Sequence, residues 1–251
     1  MFNNRVAVAA LASVIVIIGG AFALTRLTAP GPDGLGGPGP TPTSATTGVP
    51  SPSPMPSASA SPVRSLTAAE VGKALQAGTY RVDGFAAPFS VTLPDGWNVS
   101  ELTPNSIGLG VKANGSINVF MSVMGKVYSD PCHTKAGPTA VGTGVAALVG
   151  ALSSMSGFQV TEVSSATVGG ATGKGFKITN SIDVAASKCS GTMLPIGTYD
   201  KSGADVDVSM FGGETDRFWV VDAGGVRVLI AVTDNAVVDT GAVRESLRFG
   251  D

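Results

Sequence analysis

Apolar and polar residues follow three regimes along the chain, and each predicts a different kind of structure. Residues 6–24 read VAVAALASVIVIIGGAFAL, nineteen positions without a charge. A helix of that length rises about 28 Å, close to the roughly 30 Å of a bilayer's hydrocarbon core. The stretch predicts a membrane-spanning helix within an anchor over residues 1–28. A cleavable signal peptide is the competing reading, since Ala21-Phe22-Ala23 has the small-x-small form of a cleavage site. The run exceeds the roughly 7–15 apolar residues of signal peptides, which favours the uncleaved anchor. Arg5 and Arg26 balance across it, and the N-terminal amine tips the orientation towards a cytoplasmic N-terminus. Both readings place the C-terminal part outside the cytoplasm.

Residues 29–62 lose all apolar periodicity. Ten of the sixteen prolines lie here among Gly, Ser, Thr and Ala, and Asp33 is the one charge. Such a stretch cannot bury enough surface to offset the entropy of ordering, so it is expected to be a disordered linker. At the rise of polyproline II it reaches at most on the order of 100 Å. It serves as an inert tether, or as a spacer that crosses a cell-wall layer or carries sugars on its hydroxyls.

From residue 63 onward the pattern becomes short and regular. Thr67-Ala-Ala-Glu70 has capping-box spacing, with Val71, Ala74 and Leu75 on one face, and predicts a short helix closed by Gly78. Strands are expected at 79–82 and 89–93, the second stopped by Pro94-Asp95-Gly96. Residues 106–113 and 116–123 alternate around Asn114-Gly115, a hairpin turn pair, and 124–128 extends the second strand. Val141, Val145, Leu148, Val149, Leu152 and Met155 form a helical stripe ended by Gly157. Further strands are expected at 158–163, 174–182, 197–199 and 205–211. The strongest pair is 217–221 with 226–232, turning at Ala223-Gly224-Gly225. Leu229 and Ala231 make the second of these strands apolar on both faces. Asp239 caps a final helix carrying Ala242, Val243 and Leu247. The order predicts an α+β domain over 63–251, an antiparallel sheet flanked by helices.

FSVTLPDGW at 89–97, and residues 217–232 followed by GAVRESLRF at 241–249, resemble the Mog1/PsbP-like group. The resemblance implies an antiparallel sheet flanked by helices in a secreted or membrane-anchored bacterial protein. It implies a scaffold more than a chemistry.

Charge narrows the partners. Setting aside Arg5, Arg26 and Asp33 leaves fourteen basic and seventeen acidic side chains, a net charge of −3. That balance argues against nucleic acid and anionic lipid surfaces, which need clustered Lys and Arg. The expected partners are the membrane, through the first helix, and a protein or polymer of the cell envelope. No cofactor is expected, and the sequence leaves the oligomeric state open.

Candidate chemistry is sparse. Cys132 and Cys189 are the only cysteines, and an even count in an oxidising compartment predicts a disulfide. The rival is a metal site from Cys132, His133, Asp130 and Cys189, whose spacing is not that of known ligand sets. His133 is the sole histidine, so any Ser–His or Cys–His hydrolase must use it. Residues 169–175 (GGATGKG) look like a phosphate loop but lack its first glycine and its Ser/Thr, which leaves a turn entering a strand. Asp205 and Asp207 share a strand face, with Glu214 nearby, and are the carboxylates a hydrolase or calcium site would use. Alternation with Val206 and Val208 points instead to a solvated face. Asn98 and Asn114 sit in glycosylation-type triplets. Trp97 and Trp219 are expected in the core. The sequence therefore favours a non-enzymatic, membrane-tethered binding domain. A carboxylate hydrolase acting on an envelope polymer and an apolar-ligand carrier are the alternatives.

Overall fold

The computed structural model describes residues 62–111, 116–189, 191–233, 238 and 240–250. The expected anchor, linker, Asn114-Gly115 turn and Asp239 cap lie outside them. No helix among the described residues is long and apolar enough to cross a membrane.

The central element is a seven-stranded antiparallel sheet. Its strands, in spatial order, are β4 (Trp97–Thr103), β5 (Ser106–Val111), β6 (Ser116–Ser122), β14 (Val226–Val232), β13 (Thr215–Ala223), β10 (Ala171–Asn180) and β9 (Phe158–Val168). β13 and β14 pair over seven positions, from Arg217↔Val232 to Ala223↔Val226. At their centres both carry apolar residues on each face, which is possible only where both faces are covered. Val228, Ile230, Trp219 and Val221 face one core, and Leu229, Ala231, Phe218 and Val220 the other.

A four-stranded sheet covers the first face. It contains β1 (Arg64–Leu66), β2 (Gly78–Val82), β3 (Phe89–Leu93) and β15 (Arg248–Phe249), and β1 runs parallel to β2. Helix α3 (Thr240–Ser246) packs beside β3. The second face is covered by β12 (Ala204–Phe211), β11 (Met193–Lys201), β7 (Met124–Val127) and β8 (Thr139–Ala140), with helix α1 (Val145–Ser153). A one-turn helix, α2 (Val184–Ser187), lies between β10 and β11.

The expectation of an α+β domain with one sheet flanked by helices is overturned. The described residues form fifteen strands in three sheets and three short helices. Two local readings account for much of the difference. The Thr67–Glu70 capping box is present, but it closes a single 3₁₀ turn. Gly72 then takes a left-handed φ of 80°, and the chain leaves to bridge β4, with Gly72 N–H donating to Val99 O at 2.7 Å. Residues 124–128 do not prolong β6. The chain crosses at Val123, whose N–H bonds Asn105 O at 2.9 Å, and β7 joins β11 in the other sheet.

Candidate functional site

The sequence nominated the disulfide pair, His133 and three carboxylates, and the fold holds them at three separate places. Cys132 lies in the loop after β7, and Cys189 two residues beyond α2. They form the predicted disulfide, with the sulfurs 2.01 Å apart. The metal-site alternative is corrected, because neither sulfur is available as a thiolate ligand. Among the described residues no three His, Cys, Asp or Glu side chains gather as a metal cluster.

The loop is shaped by Asp130. Its Oδ1 accepts the backbone N–H of Cys132 and of His133, both at 3.1 Å, and its Oδ2 lies 2.9 Å from His133 Nδ1. The imidazole and these backbone donors hold the Asp130 carboxyl below the usual carboxylate range. His133 is 66% exposed, and its Nε2 lies 4.0 Å from Cys132 Sγ, whereas Cys132 itself is 5% exposed. The only histidine is therefore both a surface residue and a neighbour of the disulfide.

Asp205 and Asp207 occupy the outer face of β12, as the alternation predicts, with Val208 and Met210 inside. Lys126 Nζ donates to Asp205 Oδ2 at 2.5 Å, and Tyr128 Oη to Asp207 Oδ1 at 3.0 Å. Partial desolvation pushes Asp207 up, with Asp205 adding to the shift while the Tyr128 hydrogen bond opposes it. Desolvation and Asp207 in turn push the Tyr128 phenol up to about 12. Glu214 is not part of this group. It sits in the β12–β13 turn, accepting Phe211 N–H at 2.8 Å, and burial raises its pKa. Four strand steps separate Asp207 from Phe211, about 13 Å. The three carboxylates do not converge on one cleft.

The phosphate-loop look-alike is a hairpin. Gly169 and Gly170, at φ 59° and 84°, turn β9 into β10. Gly173 and Gly175 lie within β10, where a Cβ would strike the Val220 carbonyl and approach the Trp219 ring at 3.0 Å. Both tryptophans are core residues, and the Arg244 guanidinium lies 4.8 Å from the Trp219 ring centroid.

One buried polar cluster carries no sequence signal. Glu101 is 5% exposed, and its Oε1 accepts Ser106 Oγ and, at 2.7 Å, Tyr199 Oη. Lys201 Nζ donates to Oε2 at 2.5 Å. Burial alone would push Glu101 up, but the bonds from Lys201, Ser106 and Tyr199 together hold it below its ordinary value. The same surroundings raise the Tyr199 phenol well above its ordinary range, through burial first and then Glu101. A second partly buried cation, Arg227, rests on the carbonyls of Met124, Gly142 and Gly144, with the Met124 contact at 2.7 Å. Strand parity does not signal this place for Glu101, since strict alternation would set it on the face of Trp97 and Val99. Nothing in the sequence indicates Tyr199 and Lys201 as its partners.

Open grooves mark the surface. The one between α1 and the β9–β10 hairpin has a volume of about 540 Å³ and is lined by Val145, Ser165, Thr167, Thr172, Lys174 and Asp222, among others. Lys174 Nζ donates to Ser165 Oγ there at 3.3 Å. A second, of about 580 Å³, lies against Ile182, Val184, Thr192 and Phe211.

No protein-family model and no curated protein matches this chain.

Proposed function

We propose that this is a non-enzymatic, membrane-tethered domain that works outside the cytoplasm and binds an envelope component. The observation that carries the reading is the groove between α1 and β9–β10. It is open to solvent, its hydroxyls come from Ser165, Thr167 and Thr172, and Lys174 and Asp222 balance in charge. Val145, Ala146 and Ala166 add apolar surface to the same open groove. Such a mixed lining suits a hydroxyl-bearing polymer chain with apolar ring faces better than an apolar small molecule, which is held in an enclosed pocket. Three further features support the reading. The candidate reactive groups are engaged elsewhere: the cysteines with each other, Asp205 with Lys126, Asp207 with Tyr128 and Glu214 with a backbone N–H. The nineteen-residue apolar run and the proline-rich linker place and extend the domain. The resemblance to the Mog1/PsbP-like group points the same way, towards an anchored scaffold.

The test is co-sedimentation of the full-length protein, in detergent micelles, with isolated cell-envelope polysaccharide. Binding is expected, weakened about tenfold by Thr167→Arg, which fills the groove. Binding unaffected by that substitution overturns the groove assignment. Shortening of the polymer during incubation, abolished by Asp207→Asn, overturns the non-enzymatic reading in favour of a carboxylate hydrolase.

A further inference from the structure

We propose that the Cys132–Cys189 bridge is an exchangeable disulfide, opened by a thiol that attacks Cys189 while Cys132 leaves. The two sulfurs sit in unlike surroundings. Cys132 is buried, and its Sγ has His133 Nε2 at 4.0 Å and the Ser187 carbonyl at 3.7 Å. Cys189 is partly exposed, and Lys188 stands next to it in the chain. In thiol exchange the accessible sulfur is attacked, and the bond breaks towards the sulfur whose thiolate is better stabilised. Exposure selects Cys189 for attack. For the leaving sulfur, burial and the Ser187 carbonyl oppose charge on Cys132 and Lys188 favours it on Cys189, so His133 beside Cys132 is the group that sets the proposed direction.

Asp130 makes His133 suited to this role. The carboxylate holds Nδ1 at 2.9 Å, which turns Nε2 towards Cys132, and balances the charge of an imidazolium. The step is then complete. The attacking thiol gives its proton through solvent to His133 Nε2 and forms an S–S bond with Cys189. The Cys132–Cys189 bond breaks, its electron pair stays on Cys132 Sγ, and the imidazolium meets or protonates that thiolate. A second thiol displaces Cys189 from the mixed disulfide. Two thiols are oxidised to one disulfide as the bridge is reduced.

Opening has a local consequence. The hydrogen bonds of α2 that hold Asp183–Ser187 are internal, from Ala186 N–H to Asp183 Oδ1 and from Ser187 N–H to Asp183 O. Val184 packs where a Gly212 Cβ would be, at 2.9 Å, and with Ile182 walls the groove of about 580 Å³. Release of Cys189 removes the covalent tie at the end of that wall, leaving Ile182 and Val184 to hold it by packing alone on the core.

Full-length protein is treated with reduced glutathione at neutral pH, quenched with an alkylating agent, and mapped by mass spectrometry. The glutathione adduct is expected on Cys189, and His133→Gln is expected to slow opening about tenfold. In concentrated guanidinium, where Asp130 no longer orients the His133 ring, the difference between the two proteins should shrink. A variant that merely loosens the corner would open faster, so slowing separates the proposed role from a structural one. An adduct on Cys132, or equal native-state rates, overturns the proposal.

Discussion

On one side the central sheet meets β2, β3 and α3 through side chains that are almost all apolar. These include Trp97, Val99, Ile107, Val221 and Ile230, met by Phe89, Val91 and Leu247. On the other side it meets an apolar core of similar character, with Phe176 stacked on Phe218 and Phe120 beside Tyr199. That second side is also tied by the disulfide, the Glu101–Tyr199–Lys201 cluster and Arg227 on three carbonyls. The difference follows from what each layer is made of. β2 and β3 pair over five positions, whereas β7 and β8 pair over two, and long loops run from β7 to α1 and from β10 to β11. Backbone without a long ladder must satisfy its polar groups and restrict its entropy by other means. The disulfide and Arg227 lie where the ladders are short, whereas the Glu101 cluster ties the central sheet to β11, which pairs with β12 over eight positions.

The largest test of that contrast is removal of the disulfide. Its sequence separation of 57 residues corresponds to about 4 kcal/mol in the chain-entropy account. The Cys132→Ala/Cys189→Ala protein should lose up to that amount in urea denaturation. Amide protection should fall first at residues 128–144 and 181–192. Equal loss across β2 and β3 would show that the two sides are not distinct.

Glu101→Gln comes next, at about 2 kcal/mol at neutral pH, since it leaves the Lys201 ammonium without its counter-charge. The folded pKa of Glu101 lies below its ordinary value of 4.5. Its contribution is therefore present above about pH 4.5 and disappears as pH falls through the lower folded value. Urea midpoints of wild type and variant should converge in acid; a constant gap would show that packing rather than charge is responsible.

The smallest effect is expected from Glu214→Gln. Burial raises the folded pKa of Glu214, so its contribution is complete below about pH 4.5 and is lost as pH rises through the raised value. The variant should match wild type in acid and exceed it at neutral pH by less than about 0.5 kcal/mol. Lower stability at neutral pH would mean that the bond to Phe211 N–H outweighs the burial of charge.

Much of the strand content was legible because it depends on period-two alternation. β3, β5, β12, β13 and β14 lie where the pattern puts them, and the two-faced burial of β14 follows from its unbroken apolar run. α1 is shorter than its stripe, beginning at Val145 rather than near Val141, because Gly142 and Gly144 precede it. The disulfide was legible from the count and the expected compartment. Glu101 was not, and the reason is local. A bulge at Ser100 shifts the register of β4 on β5, with Val99 opposite Leu109 and Glu101 opposite Gly108. Strict alternation would aim Glu101 at the apolar core of Trp97 and Val99; the extra residue turns it to the face where Tyr199 and Lys201 wait.

By itself the sequence determined what depends on neighbours along the chain: the apolar run, the proline-rich linker, most strands, the Gly169-Gly170 turn and a cysteine pair. The number of sheets and the division of the core into two were decided only by tertiary structure. So were the meeting of Glu101 with Lys201 and the placing of His133 against one sulfur of the bridge. Each of these depends on register and on contacts between residues far apart in sequence. Alternation says that a strand has an inside, and only packing says which inside it is.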